Sequence, residues 1–240
     1  SNPYFKTVTA LRPDLPLLDH VFTLEQDYPV LIGEGHGFTP VASDAAAVAA
    51  LLYTSGTTGF PKGALLSHRA MMMDARGAAE RLGLRAGDRW TSIIPLFHCA
   101  GCILNLLGCL QNGAAYVGVP SFDPEAMFRI IEAERCTFLS GVPTSYLAML
   151  DHPARANYDL SSLRAGSCGG ADCNPDVLRR CAAEFPMPGL SQVYGQTEGA
   201  TLFVCPSADD PQRWDTAGIA LPGYELRIVD PVTLATRSPG

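Results

Sequence analysis

Residues 53–64 read YTSGTTGFPKGA, and they gather Thr54, Ser55, Thr57 and Thr58 with Gly56, Gly59, Gly63 and one lysine, Lys62. Glycines let a backbone curl until its N–H groups converge on an anion. The hydroxyls add donors, and the ammonium adds a point charge suited to phosphate. Lying directly after the apolar run VAALL, this loop is a candidate phosphate cradle rather than an indifferent surface turn. Two common nucleotide loops are excluded by counting. A P-loop reads G-x-x-x-x-G-K-[ST], yet from Gly56 the second glycine falls on Pro61, and Gly63 follows the lysine. That disfavours a P-loop ATPase. The GxGxxG dinucleotide fingerprint is absent too, since Gly56 and Gly59 have the wrong spacing.

Three further segments carry chemistry. PLFHCAG (95–101) sets His98 beside Phe97 and close to a glycine, where an imidazole can donate a hydrogen bond to a carboxylate. SCGGAD (167–172) offers Gly169 and Gly170, which permit close approach of a flat ligand. VYGQTEGA (193–200) combines an aromatic, a hydroxyl and a carboxylate within five residues, Tyr194 to Glu198. Each segment alone has a plain reading: a satisfied loop histidine, an ordinary turn, a solvated glutamate. The eight cysteines include Cys99-x-x-Cys102 and the pair Cys168 and Cys173, but no second CxxC completes a zinc site. They read as small core residues of an intracellular, cytoplasmic protein.

The elements that must position these residues alternate. AAVAALLYT (46–54) reads as a buried strand, and Ser67 as the cap of a helix running to about Leu82. Strands follow at 90–94, 114–119, 137–142, 163–168 and 190–195. Helices are expected at about 99–111, from Asp123-Pro124 onward, over 143–150 and from Asn174-Pro175 to Phe185. GYELRIVD (223–230) alternates like an edge or antiparallel strand; LLDHVFTL (17–24) is a weaker strand candidate, and IGEGHGF a loop. Such alternation predicts an α/β fold, a mostly parallel sheet flanked by helices on both faces. The loop 54–63 is expected at the carboxyl end of one of its strands. At 240 residues and 47% hydrophobic the chain can bury a large core. Its net charge of −7 gives no basic footprint for nucleic acid or an anionic membrane. No apolar run reaches the roughly 20 residues of a membrane helix, and no secretory leader pattern opens the sequence.

YTSGTTGFPKGA resembles the signature loop of AMP-forming adenylating enzymes: acyl-CoA synthetases, 4-coumarate ligases, luciferases and peptide-synthetase adenylation domains. PLFHCAG, SCGGAD, VYGQTEGA and DTAGIALPGYELRIVD (215–230) resemble later segments of that family in the same order, so the likeness covers about residues 40–230. The resemblance implies that Thr54 through Gly59, with Lys62, hold the β- and γ-phosphates of ATP. It implies that Gly169, Gly170 and Ala171 lie against adenine and the acyl group, with Tyr194 and Gly195 at the base. Thr197 would bond the α-phosphate or the carboxylate, Glu198 would hold Mg²⁺, and His98 would guide the carboxylate. The acyl pocket is expected near His98, Val142, Gly169 and Gly195.

Members of that family are about twice as long. By that comparison the chain is expected to be a truncated N-terminal AMP-binding domain, without roughly the first 150 family residues and without the small C-terminal domain with its catalytic lysine. The activity implied is that of a fatty- or other apolar acyl-CoA synthetase: ATP adenylates a carboxylic acid, and coenzyme A then takes the acyl group as a thioester. The fragment alone is expected to be nearly inactive. Two alternatives stand. One is a peptide-synthetase adenylation domain, for which Asp172 is the nearest candidate to fix an amino group; the other is a non-catalytic nucleotide-binding module. Nothing in the sequence sets chain length of the acid or oligomeric state.

Overall fold

The strand–helix alternation between residues 89 and 192 builds one five-stranded sheet in the computed structural model, which describes residues 3–33, 39, 41–55 and 59–237. The strands are β3 (Arg89–Ser92), β4 (Ala115–Gly118), β5 (Phe138–Gly141), β6 (Ala165–Cys168) and β7 (Gly189–Gln192). They lie in the order β4-β3-β5-β6-β7 and every pair is parallel. A parallel sheet must be covered on both faces, and this one is. On one face Leu139, Cys168 and Leu190 pack against α5 (Pro124–Glu134), α6 (Pro143–Leu150) and α7 (Pro175–Glu184). On the other, Trp90, Phe138 and Ala165 pack against α3 (His68–Arg81) and the Leu104–Cys109 region. The fold class expected from the sequence is the one found.

Local signals set the helix ends. Ser67 Oγ accepts from Ala70 N–H, Asp123 Oδ1 from Ala126 N–H and Asn174 Oδ1 from Asp176 N–H, so each N-terminus has a side-chain acceptor. Pro124, Pro143 and Pro175 open the first turns of α5, α6 and α7, where a missing N–H costs nothing. The apolar helix expected at 99–111 forms as a π-helix, Ala100–Leu107, that passes into α4, Gly108–Asn112.

Four expectations are corrected. The run 46–54 is not a buried strand of the parallel sheet. It is β1 (Val48–Thr54), paired antiparallel with β2 (Lys62–Ser67) in a separate two-stranded ribbon, with Leu51 half exposed and Tyr53 72% exposed. Its alternate residues Ala50 and Leu52 turn toward Ile103, Ala75 and Leu66, whereas the other face, with Leu51, Tyr53 and Leu65, is covered by none of the described residues. An apolar run alone does not tell one buried face from two. The loop 54–63 is therefore the connection of a hairpin, not the carboxyl end of a parallel strand. Residues 223–230 form no ladder either. Val229 makes a lone antiparallel bridge to Thr236, and Asp230 Oδ1 takes the N–H groups of Val232 and Thr233, so the segment turns back on itself. The two-residue strands β8 (Val204–Cys205) and β9 (Ile219–Ala220) pair antiparallel nearby in sequence.

Residues 1–43 form a separate unit from 44–240. It contains α1 (Pro3–Leu11) and α2 (Leu24–Gly33). LLDHVFTL is thus no strand: Leu24 starts α2, and Thr23 N–H donates to Asp27 Oδ2 at 2.6 Å, which closes the first turn. Most of IGEGHGF, residues 34–38, lies outside the described residues.

Candidate functional site

Two cavities open at the carboxyl ends of β5, β6 and β7. The first has a volume of about 440 Å³. Ile93, Ile94, Leu104, Val142, Val193 and Leu202 give it an apolar wall, and His98, Thr197 and Ser167 bring polar atoms to it. The second, about 450 Å³, is lined by Ala171, Asp172, Tyr194, Gln192 and Ala217 among others. Both share Gly170, Val193 and Gly195, so the strand-end turn after β6 and the segment after β7 divide one space into two chambers.

Glycine is required at the shared wall. A Cβ on Gly195 would stand 1.7 Å from the Thr201 carbonyl oxygen and 2.5 Å from Leu202 Cα. On Gly169 it would meet Val193 Cγ2 at 2.7 Å. These backbones touch because no side chain separates them.

Of the residues singled out in the sequence, the structure brings His98, Gly169, Gly170, Gly195 and Thr197 to the first cavity and Gly170, Ala171, Tyr194 and Gly195 to the second. Tyr194 is half exposed. Its ring meets Phe203 edge-on with centroids 6.1 Å apart, and its hydroxyl accepts from Gln196 Nε2. Exposed His98 accepts the Ala100 N–H at Nδ1 (3.1 Å), which leaves Nε2 to carry the proton of a neutral ring. The buried Cys99 thiol lies 3.7 Å from His98 Nδ1 and 3.6 Å from Thr197 Oγ1. The contact with Cys99 raises the His98 pKa against a smaller opposing effect of burial. Burial pushes the Cys99 thiol up, and its contacts with His98 and Thr197 more than reverse this.

Glu198 is exposed, forms no ion pair among the described residues and lines neither cavity. Among the described residues no cluster of three His, Cys, Asp or Glu could hold a metal ion by protein ligands alone. A lone open carboxylate does fit Mg²⁺, which keeps waters and takes one or two carboxylates beside substrate phosphates. Thr54, the last residue of β1, is half-buried; Ser55 and Gly59 of the hairpin connection and Lys62, the first residue of β2, are exposed, and Gly56, Thr57 and Thr58 lie outside the described residues. None of the four lines the two cavities, yet β2 packs against the turn Thr197–Gly199 that carries Thr197 and Glu198.

Sequence reasoning missed two features. Asp74 lies 1% exposed inside α3, where its Oδ2 accepts from Leu202 N–H (3.0 Å) and lies 2.9 Å from Tyr224 Oη. Tyr224 Oη also reaches the Gly199 carbonyl. This tie holds the segment 199–202, which follows Thr197 and walls the first cavity. The signal was present: an aspartate on the apolar stripe of Met71, Ala75 and Ala78. The other is the set of serines at the ends of the parallel strands, including Ser167 on the cavity wall.

A family profile described as AMP-binding enzyme matches residues 6–240. YngI of Bacillus subtilis is 42% identical over 183 residues, which is 75% of this chain and 33% of YngI. The 3-[(3aS,4S,7aS)-7a-methyl-1,5-dioxo-octahydro-1H-inden-4-yl]propanoyl:CoA ligase of Mycobacterium tuberculosis is 37% identical over 241 residues, 95% of this chain and 48% of that protein. ATP-bound MatB from Rhodopseudomonas palustris superposes with a TM-score of 0.78 at 28% identity, covering 89% of this chain and 42% of MatB. The chain thus spans a third to a half of the length of the curated relatives it matches here. On the profile match and the shared fold, the chain belongs to the AMP-binding enzyme family.

Proposed function

We propose that the protein is an AMP-forming ligase that joins a fatty or other apolar carboxylic acid to coenzyme A at the expense of ATP. The observation that carries this reading is the pair of chambers meeting at Gly170, Val193 and Gly195, one largely apolar and one beside an exposed tyrosine ring. The first suits an acyl group; the second suits adenine stacked on Tyr194, with Gly170 and Ala171 against its face. Thr197, at the first chamber, holds the carboxylate and the α-phosphate oxygens together, and His98 Nε2–H guides the carboxylate. Lys62 and the hydroxyls of the hairpin loop take the β- and γ-phosphates. A carboxylate oxygen then attacks the α-phosphorus while the bond to the bridging oxygen breaks, and the pyrophosphate charge falls to Lys62. Positioning and charge stabilisation supply most of the acceleration in such a step. Mg²⁺, bound through Glu198, would add charge neutralisation. The thiol of coenzyme A next displaces AMP from the acyl-adenylate. An ATP-bound structural neighbour and a relative that is a CoA ligase support both co-substrates. An amino-acid substrate is less well supported: among the described residues no carboxylate lines the first chamber, and Asp172 lines the second.

We place this activity in the cytoplasm and expect the 240-residue chain alone to be nearly inactive in thioester formation. No helix of the described residues is long and apolar enough to cross a membrane. The test is acid-dependent ATP–pyrophosphate exchange by the full-length protein with fatty, aromatic and amino acids. Exchange with apolar acids and thioester formation with coenzyme A are expected; exchange with amino acids alone would overturn the reading.

A further inference from the structure

Four serines stand in one row across the sheet. Ser92 of β3 pairs in register with Ser140 of β5, Ser140 with Ser167 of β6, and Ser167 with Ser191 of β7. All four are 0–2% exposed, and of the four Ser167 lines the first chamber. Hydroxyls buried within a parallel sheet cost stability unless bonded, so their partners matter. Trp90 Nε1, which can only donate, gives its proton to Ser140 Oγ at 2.9 Å. In the orientation the structure gives it, Asn105 Nδ2 donates to the same oxygen at 3.4 Å. Both lone pairs of Ser140 Oγ are then used. The 2.6 Å contact between Ser140 Oγ and Ser167 Oγ must therefore carry the proton of Ser140. Ser167 accepts it, and its own hydroxyl hydrogen meets no acceptor among the described residues. Buried Asn105 Oδ1 and Ser191 Oγ likewise lack partners among the described residues.

We infer that Ser167 is a specificity-determining residue whose hydroxyl donates to an oxygen on the acyl group, so that the preferred acids carry a keto, ether or hydroxyl oxygen beyond the carboxylate. This rests on the ligase reading above and narrows its substrate class from apolar acids to oxygenated ones. The relay from Trp90 through Ser140 fixes the direction of the donor before substrate arrives. A plain alkyl chain filling the chamber would leave that donor unsatisfied, and sites built to hydrogen-bond a substrate discriminate against analogues that cannot.

The test compares straight-chain acids, each with one keto group at a different carbon, with the parent acid lacking it, using pyrophosphate exchange by the full-length protein. At least one keto acid should exceed the parent in kcat/KM by roughly tenfold or more. Ser167→Ala should bring that ratio near one, and Ser167→Thr, which keeps the hydroxyl, should restore part of it. A wild-type enzyme with no keto preference overturns the inference even if Ser167→Ala does not fold. A variant that lowers both acids equally also overturns it, since the role is then structural. Failure of every acid to promote exchange would instead sink the ligase reading itself.

Discussion

At the scale of single residues, Lys62 and Gly195 work in opposite ways. Lys62 stands exposed at the first position of β2 with no ion pair among the described residues, so its charge is available to a ligand and contributes little to folding. Lys62→Ala should weaken Mg–ATP binding by roughly tenfold or more, read by calorimetry on this chain, with an unchanged melting temperature. Gly195 contributes by having no side chain. Gly195→Ala forces a methyl into the Thr201 carbonyl, and neither neighbour is the free end of a flexible side chain. The backbone must shift at the cost of about 1–3 kcal/mol or more. The expected outcome is a melting temperature lowered by several degrees together with loss of nucleotide binding, checked by a melt with and without Mg–ATP.

At the scale of elements, α3 carries a titrating tie. Burial holds the Asp74 carboxyl at about 7 against an ordinary value of 3.8, with hydrogen bonds from Tyr224 and Leu202 pulling the other way. When Asp74 is protonated it donates to Tyr224, which donates to the Gly199 carbonyl, so every hydrogen has an acceptor. A raised carboxylate pKa means that the folded chain keeps a proton that the unfolded chain releases between about pH 4 and 7. Stability is therefore fully present below that window and falls as pH climbs through 7. Asp74→Asn copies the protonated form and should flatten this loss, by roughly 2–4 kcal/mol at high pH. Urea melts of both proteins at acid and alkaline pH read the difference.

Nearly all of the parallel sheet and its helices were legible in the sequence, because Ser67, Asp123, Asn174 and the opening prolines mark helix starts chemically. The segments at 46–54 and 223–230 misled for one reason. Their apolar pattern is genuine, yet whether a strand gains one neighbour, two or none is decided by distant chain. Motif chemistry singled out His98, Gly169, Gly170, Tyr194, Gly195 and Thr197, which the fold gathers at the two cavities. Asp74 and Ser167 were not, since each acts through atoms brought near by folding: Leu202 and Tyr224 for one, Ser140 and Trp90 for the other.

At the scale of the whole 44–240 unit, the two ends of the parallel strands divide the labour. The carboxyl ends hold the chambers. The amino ends are fastened by Asp88, which accepts from Thr137 Oγ1 at 2.8 Å, from Arg85 N–H at 2.7 Å and from the Arg164 guanidinium in two bonds. These residues precede β3, β5 and β6, so one carboxylate ties three adjacent strands, and the Arg164 guanidinium also stacks on Phe138 at 4.6 Å. Asp88→Ala leaves half-buried Arg164 unpaired and should cost about 2–4 kcal/mol in denaturant melts, with the ratio of activities between acids unmoved. The glycine-rich loop proposed to hold the phosphates belongs to neither end. Its stem is a two-stranded ribbon outside this fastened sheet, held by one packed face, and such ribbons are marginal by themselves. The stem can then open while the sheet stays shut: its backbone amides should trade hydrogen for deuterium well before those of β5 and β6, and Mg–ATP should slow that trade chiefly in β1 and β2. Gripping the nucleotide would thus be the event that completes this part of the fold.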